Sequence, residues 1–84
     1  MTDAIHTRVK QMVADHFGVT TDVLTPETDF FANLDGDDID RLDLCCQVET
    51  EFRVEIDDND LEECGTVGGL IDVLRRRLPH AAAE

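Results

Sequence analysis

The sequence predicts an all-α fold of four helical segments, one of them short. Three observations carry that expectation. Apolar residues recur at helical spacing in three stretches, near residues 3–17, 38–53 and 66–78. Acids, Thr66, Gly18, Gly36 and Pro79 sit where such stretches start and stop. The chain has 84 residues, enough for one modest core and too few for two, so residues 1–84 are expected to form a single domain.

In the first helix, Ile5, Val9, Met12, Val13, His16 and Phe17 fall on one side, and Gly18 stands where a helix ends in left-handed backbone. His6 and His16 have no second ligand at a metal spacing and are read as structural or solvent-facing. Residues 18–37 make a connection longer than a compact domain usually tolerates. Val19, Val23, Leu24, Phe30, Phe31 and Leu34 are its expected anchors, and Pro26 keeps a helix from running through it. Gly36 permits a tight turn before the second helix, which Asp37 caps. After Ile56, residues 57–64 carry capping acids and the apolar pair Leu61 and Cys64, enough for one or two turns that could not stand alone. Thr66 caps the last helix, whose stripe is Val67, Leu70, Ile71, Leu74 and Leu78. Gly68 and Gly69 weaken its first turn by about 1 kcal/mol each, which suggests close packing. Arg75, Arg76 and Arg77 suit the negative end of that helix, and residues 79–84 read as a frayed tail.

The formal net charge is -13, and its distribution is uneven. Residues 27–63 hold fifteen acids against Arg41 and Arg53, while the remainder is neutral. Such a field attracts basic partners and speeds their encounter. It excludes a nucleic-acid partner, which needs a basic footprint. No apolar run of membrane length and no signal-like start is present, so a soluble, cytoplasmic protein without membrane association is expected.

The second helix has two apolar faces. Leu44, Cys45, Val48 and Phe52 fall together, and Ile39, Leu42 and Cys46 fall together elsewhere. One face serves a core. The other is edged by Asp40, Asp43, Glu49 and Glu51, the composition of a docking surface for a basic partner, although packing on a neighbouring loop would also account for it. Asp37, Asp38 and Asp40 place carboxylates in the first turn, where free N–H groups and the helix dipole favour them.

In order and spacing, the chain resembles an acyl carrier protein. The resemblance runs without a gap over residues 8–74: Phe17-Gly18-Val19, Asp29-Phe30-Phe31, Asn33-Leu34, the turn, Glu51-Phe52, Glu55-Ile56-Asp57-Asp58 and Thr66-Val67-Gly68. The family's hallmark is Asp-Ser-Leu at the start of the second helix, and here Asp37-Asp38-Ile39 stands in its place. The resemblance implies a four-helix bundle with a long first loop and a short third helix. It also implies a noncatalytic carrier for fatty acid or polyketide synthesis, with an apolar space between helices two, three and four that shelters an acyl chain, with Leu61 and Cys64 facing it.

Residue 38 is then the attachment position for 4′-phosphopantetheine, but a carboxylate is not the hydroxyl that forms the phosphodiester. This form, with Asp38, is expected to carry no cofactor; a parent with serine at that position would carry phosphopantetheine. An engineered replacement of serine and a natural relative that lost the site both fit. The partners implied are basic-patched synthase enzymes and a phosphopantetheinyl transferase, met by a monomer through Asp37, Ile39, Asp40, Leu42, Asp43, Cys46 and Glu49. The alternative is a noncarrier interaction or regulatory protein that kept the fold.

No catalytic set is visible: the paired carboxylates lie on an open acidic surface without a base partner or oxyanion donors. Three cysteines, with Cys45 and Cys46 adjacent, form neither a disulfide framework nor a zinc spacing and read as small apolar residues, Cys46 being reactive if exposed. Acids 57, 58, 60, 62 and 63 lack the calcium-loop pattern, so no specific metal site is expected.

Overall fold

The computed structural model describes residues 4–78; the tail expected at 79–84 lies outside them. Its helices are α1 (Ala4–Phe17), α2 (Asp38–Phe52), α3 (Asp58–Leu61) and α4 (Val67–Arg77), with a 3-10 turn at Thr21–Val23. An isolated bridge between Asp29 and Thr66 is the only extended pairing among the described residues, so the fold is all-helical as expected. α1 packs on α2 and α4, and α3 meets α2.

Every apolar residue on the buried stripes joins one core cluster. Val9, Val13, Phe30, Leu44, Val48, Val67, Leu70 and Leu74 are fully buried, with Phe17, Leu34, Phe52 and Ile56 half-buried against them. Phe17 stacks on Phe30 with ring centroids 5.9 Å apart, which joins the end of α1 to the long loop. The cluster also takes in Ala14, Val54 and Val73, three small or β-branched residues that fill the gaps between larger ones.

α1 ends at Gly18 with φ of 71°, and the Val19 amide donates to the Ala14 carbonyl at 3.0 Å, closing the left-handed stop that glycine permits. The long connection is held by its own polar groups. The Asp29 carboxylate accepts from the amides of Phe31 and Ala32, and the Asp29 amide donates to Asn33. The loop is also fixed to the start of α4: Phe30 N donates to Gly65 O, Val67 N to Thr28 O and Gly68 N to Pro26 O. Leu24 and Phe30 are its buried anchors. Val23 is not one; the 3-10 turn leaves it 58% exposed.

Two glycine expectations change their physical reason. At the turn before α2 the left-handed residue is Asp35, with φ of 57°, an angle that Asp tolerates better than most residues. Gly36 is needed for closeness instead: a Cβ there would lie 2.8 Å from the Phe30 carbonyl oxygen and 3.0 Å from the Phe17 ring. Gly68 and Gly69 are required by packing, since a Cβ on Gly69 would come within 1.8 Å of the Glu63 carbonyl oxygen.

Candidate functional site

The start of α2 is built by a reciprocal cap. The Asp40 amide donates to Asp37 Oδ1 at 3.0 Å, and the Asp37 amide donates to Asp40 Oδ2 at 3.0 Å. Asp40 Oδ1 also bonds the His16 ring Nε2 at 2.9 Å, and His16 Nδ1 faces the Gln47 side-chain amide at 3.3 Å. His16 is therefore structural: it ties the end of α1 to the first turn of α2. The hydrogen bond from His16, then that from the Asp37 amide, holds the Asp40 carboxyl below its ordinary value.

Asp38 follows the cap with its side chain 80% exposed, and its Oδ1 lies 3.4 Å from Arg41 Nη2. Arg41 lays its guanidinium over the Phe31 ring at 5.6 Å, a cation-π contact that holds a positive charge beside position 38. Its Nε is buried without a hydrogen-bond partner among the described residues. Nothing in the sequence reading singled out this arginine.

The second apolar face of α2 stays open. Ile39 is 68% exposed and Leu42 46%, and Cys46 beside them is exposed. Packing of this face on a neighbouring loop is thereby excluded. Asp43 is exposed as well. The expected docking residues thus divide. Asp38, Ile39, Leu42, Asp43 and Cys46 face outward, whereas Asp37 and Asp40 are engaged in the cap. Glu49 accepts the Ile56 amide at 2.8 Å and so holds the chain after the helix.

The acids near α3 are engaged by arginines. A second reciprocal cap links Asp57 and Asp60. The Asp60 carboxylate, buried at 7% side-chain exposure, accepts from Arg76 Nη2 at 3.0 Å and from Arg77 Nε at 2.7 Å. Arg77 also reaches Asp57 at 3.0 Å, and Arg76 reaches both oxygens of Glu63. Burial pushes Asp60 up, but the Arg77 hydrogen bond, the Asp57 amide and the two arginine charges outweigh it and hold the carboxyl below its ordinary value. The arginine run, expected only to suit the helix dipole, is what fastens α3 to α4.

Two cysteines also meet here. Cys45 from α2 and Cys64 after α3 are buried, 4% and 0% exposed, and their thiols share a hydrogen bond. Cys64 Sγ donates to the Asp60 carbonyl at 3.3 Å. The Cys45 thiol, burial and the nearby Asp60 charge push the Cys64 thiol well above its ordinary value.

The model of a phosphopantetheine attachment site matches residues 7–74. The chain is 36% identical over 73 residues to the acyl carrier protein of Lactobacillus acidophilus, covering 87% of this chain and 91% of that one. It is 36% identical over 78 residues to that of Chlorobium luteolum, covering 92% and 100%. This chain belongs to the acyl carrier protein family. A structure of the acyl carrier protein from Enterococcus faecalis superposes with a TM-score of 0.73 at 28% identity, covering 83% of this chain and 89% of that one.

Acyl carrier proteins are carriers and not enzymes, in keeping with a site whose carboxylates serve as caps and ion-pair partners. Position 38 has the exposure that attachment needs, at the open end of a helix. Its side chain does not fit the group, because a carboxylate supplies no hydroxyl to esterify. No described helix is long and apolar enough to cross a membrane.

Proposed function

We propose that this chain is a single carrier-type domain of fatty acid or polyketide biosynthesis that docks basic partner enzymes through α2 and stays unmodified at Asp38. It meets synthases and a phosphopantetheinyl transferase in the cytoplasm as a monomer. The observation that carries the reading is the open strip of Ile39 and Leu42, 68% and 46% exposed, flanked by the outward carboxylates of Asp38 and Asp43. An exposed apolar strip with a charged rim is the anatomy of a transient interface, its apolar centre giving affinity and its charges giving rate. A form with serine at position 38 carries 4′-phosphopantetheine there and shelters its acyl chain between α2, α3 and α4.

A second reading is favoured by the ease with which Asp38 fits. It lies in the first turn, where acids are stabilised, and pairs with Arg41, so nothing in the helix needs a serine. On that reading the chain is a regulatory relative that occupies docking sites without carrying cargo. A serine codon at 38 in the source gene favours the carrier, and a native aspartate favours the regulator.

The test is intact mass after incubation with coenzyme A and a phosphopantetheinyl transferase. An Asp38→Ser chain that gains about 340 Da while the parent gains none makes the scaffold a carrier disarmed at one residue. If neither folded chain is modified, the carrier reading fails and the noncarrier one takes its place.

A further inference from the structure

α3 has four residues, too few for a helix to persist by itself. Two contacts fix its place. On one side Arg76 and Arg77 grip Asp60. On the other, Cys64 turns its thiol to Cys45 on α2, and its Sγ is held in that direction by the Asp60 carbonyl. The ionic grip and the thiol contact therefore share one residue, Asp60, through its side chain and its backbone.

Core cysteines usually need nothing more than apolar neighbours. This pair differs because the two residues come from separate elements, 19 positions apart in sequence, and place their sulfurs in hydrogen-bond contact. A small approach from that contact reaches bonding distance. Cys46, adjacent in sequence to Cys45, faces solvent on the other side of α2 and is not part of the pair.

We propose that Cys45 and Cys64 are a redox-sensitive clasp, whose oxidation to a disulfide pins α3 to α2 and whose reduction frees it. Two thiols lose two protons and two electrons as the S–S bond forms. With hydrogen peroxide as oxidant, the first thiol becomes a sulfenic acid with release of one water. Attack by the second sulfur expels the other oxygen as a second water. With a small disulfide such as oxidised glutathione, two exchanges give the same bond and two free glutathione thiols. Burial protects the pair while α3 is seated, and opening of α3 admits the oxidant. The clasp stands on its own geometry and does not require that residue 38 carry a group.

The test uses the full chain with Cys46→Ser, which removes the exposed thiol and leaves the core untouched. The reduced protein is treated with hydrogen peroxide or with oxidised glutathione, alkylated under denaturing conditions and cut with trypsin without reductant. Cleavage after Arg41, Arg53 and Arg75 separates the two cysteines. The expected result is a linked pair of peptides, 42–53 with 54–75, at the mass of both less two hydrogens, and separation of the pair by dithiothreitol. Amide exchange in α3, read at Leu61, Glu63 and Cys64, should slow by about tenfold in the oxidised form, because local opening then has to carry α2 with it. Adducts on single cysteines without a linked pair overturn the proposal, as do two fully alkylated cysteines after prolonged oxidation. A linked pair with unchanged or faster exchange in α3 also overturns it, since the bond would not then be pinning the helix.

Discussion

Gly69→Ala separates helix propensity from packing. In an isolated helix the change would gain about 1 kcal/mol. In this protein the added Cβ would lie 1.8 Å from the Glu63 carbonyl oxygen and 3.1 Å from Thr66 Oγ1. A carbon and an oxygen rest no closer than about 3.3 Å, so the first turn of α4 and the segment after α3 must part by about 1.5 Å. That movement pulls on the Thr66 cap, whose hydroxyl accepts the Gly69 amide at 2.9 Å and whose loss costs about 1 kcal/mol. It also costs about 1–3 kcal/mol as overpacking. The net expectation is a loss of about 2 kcal/mol, which lowers Tm by about 8–16 °C for a domain of this size. Guanidinium and thermal unfolding followed by circular dichroism read it directly. Gly65→Ala is the control: its Cβ meets only the Phe31 ring, at 3.6 Å, and stability should stay within about 0.5 kcal/mol of the parent. A Gly69→Ala chain as stable as the parent would refute the argument that the glycine is there for contact.

Asp40 and Asp60 both have carboxyls held below their ordinary value in the folded chain, so their stabilisation is fully present above about pH 4–5 and is lost as pH falls through the lower folded values. Tm of the parent should therefore drop more steeply from about pH 5 to about pH 2 than Tm of an Asp40→Asn/Asp60→Asn double variant; parallel curves would refute this. With a net charge of -13, the chain should gain stability as sodium chloride rises from about 10 mM to about 200 mM, and calcium at matched ionic strength should add nothing further, since Asp57, Asp60 and Glu63 already face arginines. A calcium-specific rise in Tm would count against that assignment. Ile39→Ala and Leu42→Ala should leave Tm within about 4 °C of the parent. In an Asp38→Ser background each should slow modification by a phosphopantetheinyl transferase about tenfold, and an unchanged rate would remove the strip from the docking surface.

The helices were legible because their signals are local. The stripe Val67, Leu70, Ile71 and Leu74 and the caps Asp37 and Thr66 are read from residues within one turn of each other, and α1, α2 and α4 lie where those signals put them. The family was legible from the order of short motifs. What the sequence did not disclose are pairings between elements, since spacing along the chain does not say which helix ends meet. His16 with Asp40, Arg41 with Phe31, Arg76 and Arg77 with Asp60, and Cys45 with Cys64 are all of this kind. One local signal was available and unused. The pattern of Asp three residues before Asp occurs at 37 and 40 and again at 57 and 60, and both turn out to be reciprocal caps. It marks four acids as structural before any partner is considered.

That division bears on why the docking face can survive without its serine. The acids that hold α2 and α3 in place, Asp37, Asp40, Glu49, Asp57 and Asp60, bond to amides, to His16 or to arginines, and none of those bonds passes through residue 38. The groups left outward, Ile39, Leu42 and Asp43, rest on a helix whose core side, Leu44, Cys45 and Val48, is set by packing alone. A change at 38 therefore alters what the helix can carry and leaves its shape and field in place. Because a partner reads the shape and field, and only the transferase's chemistry needs the hydroxyl, recognition and loading are separable in this scaffold. An Asp38 chain should then compete with its own Asp38→Ser form for the transferase, slowing its modification in proportion to concentration. Absence of competition at a large excess would mean that residue 38 contributes to recognition itself.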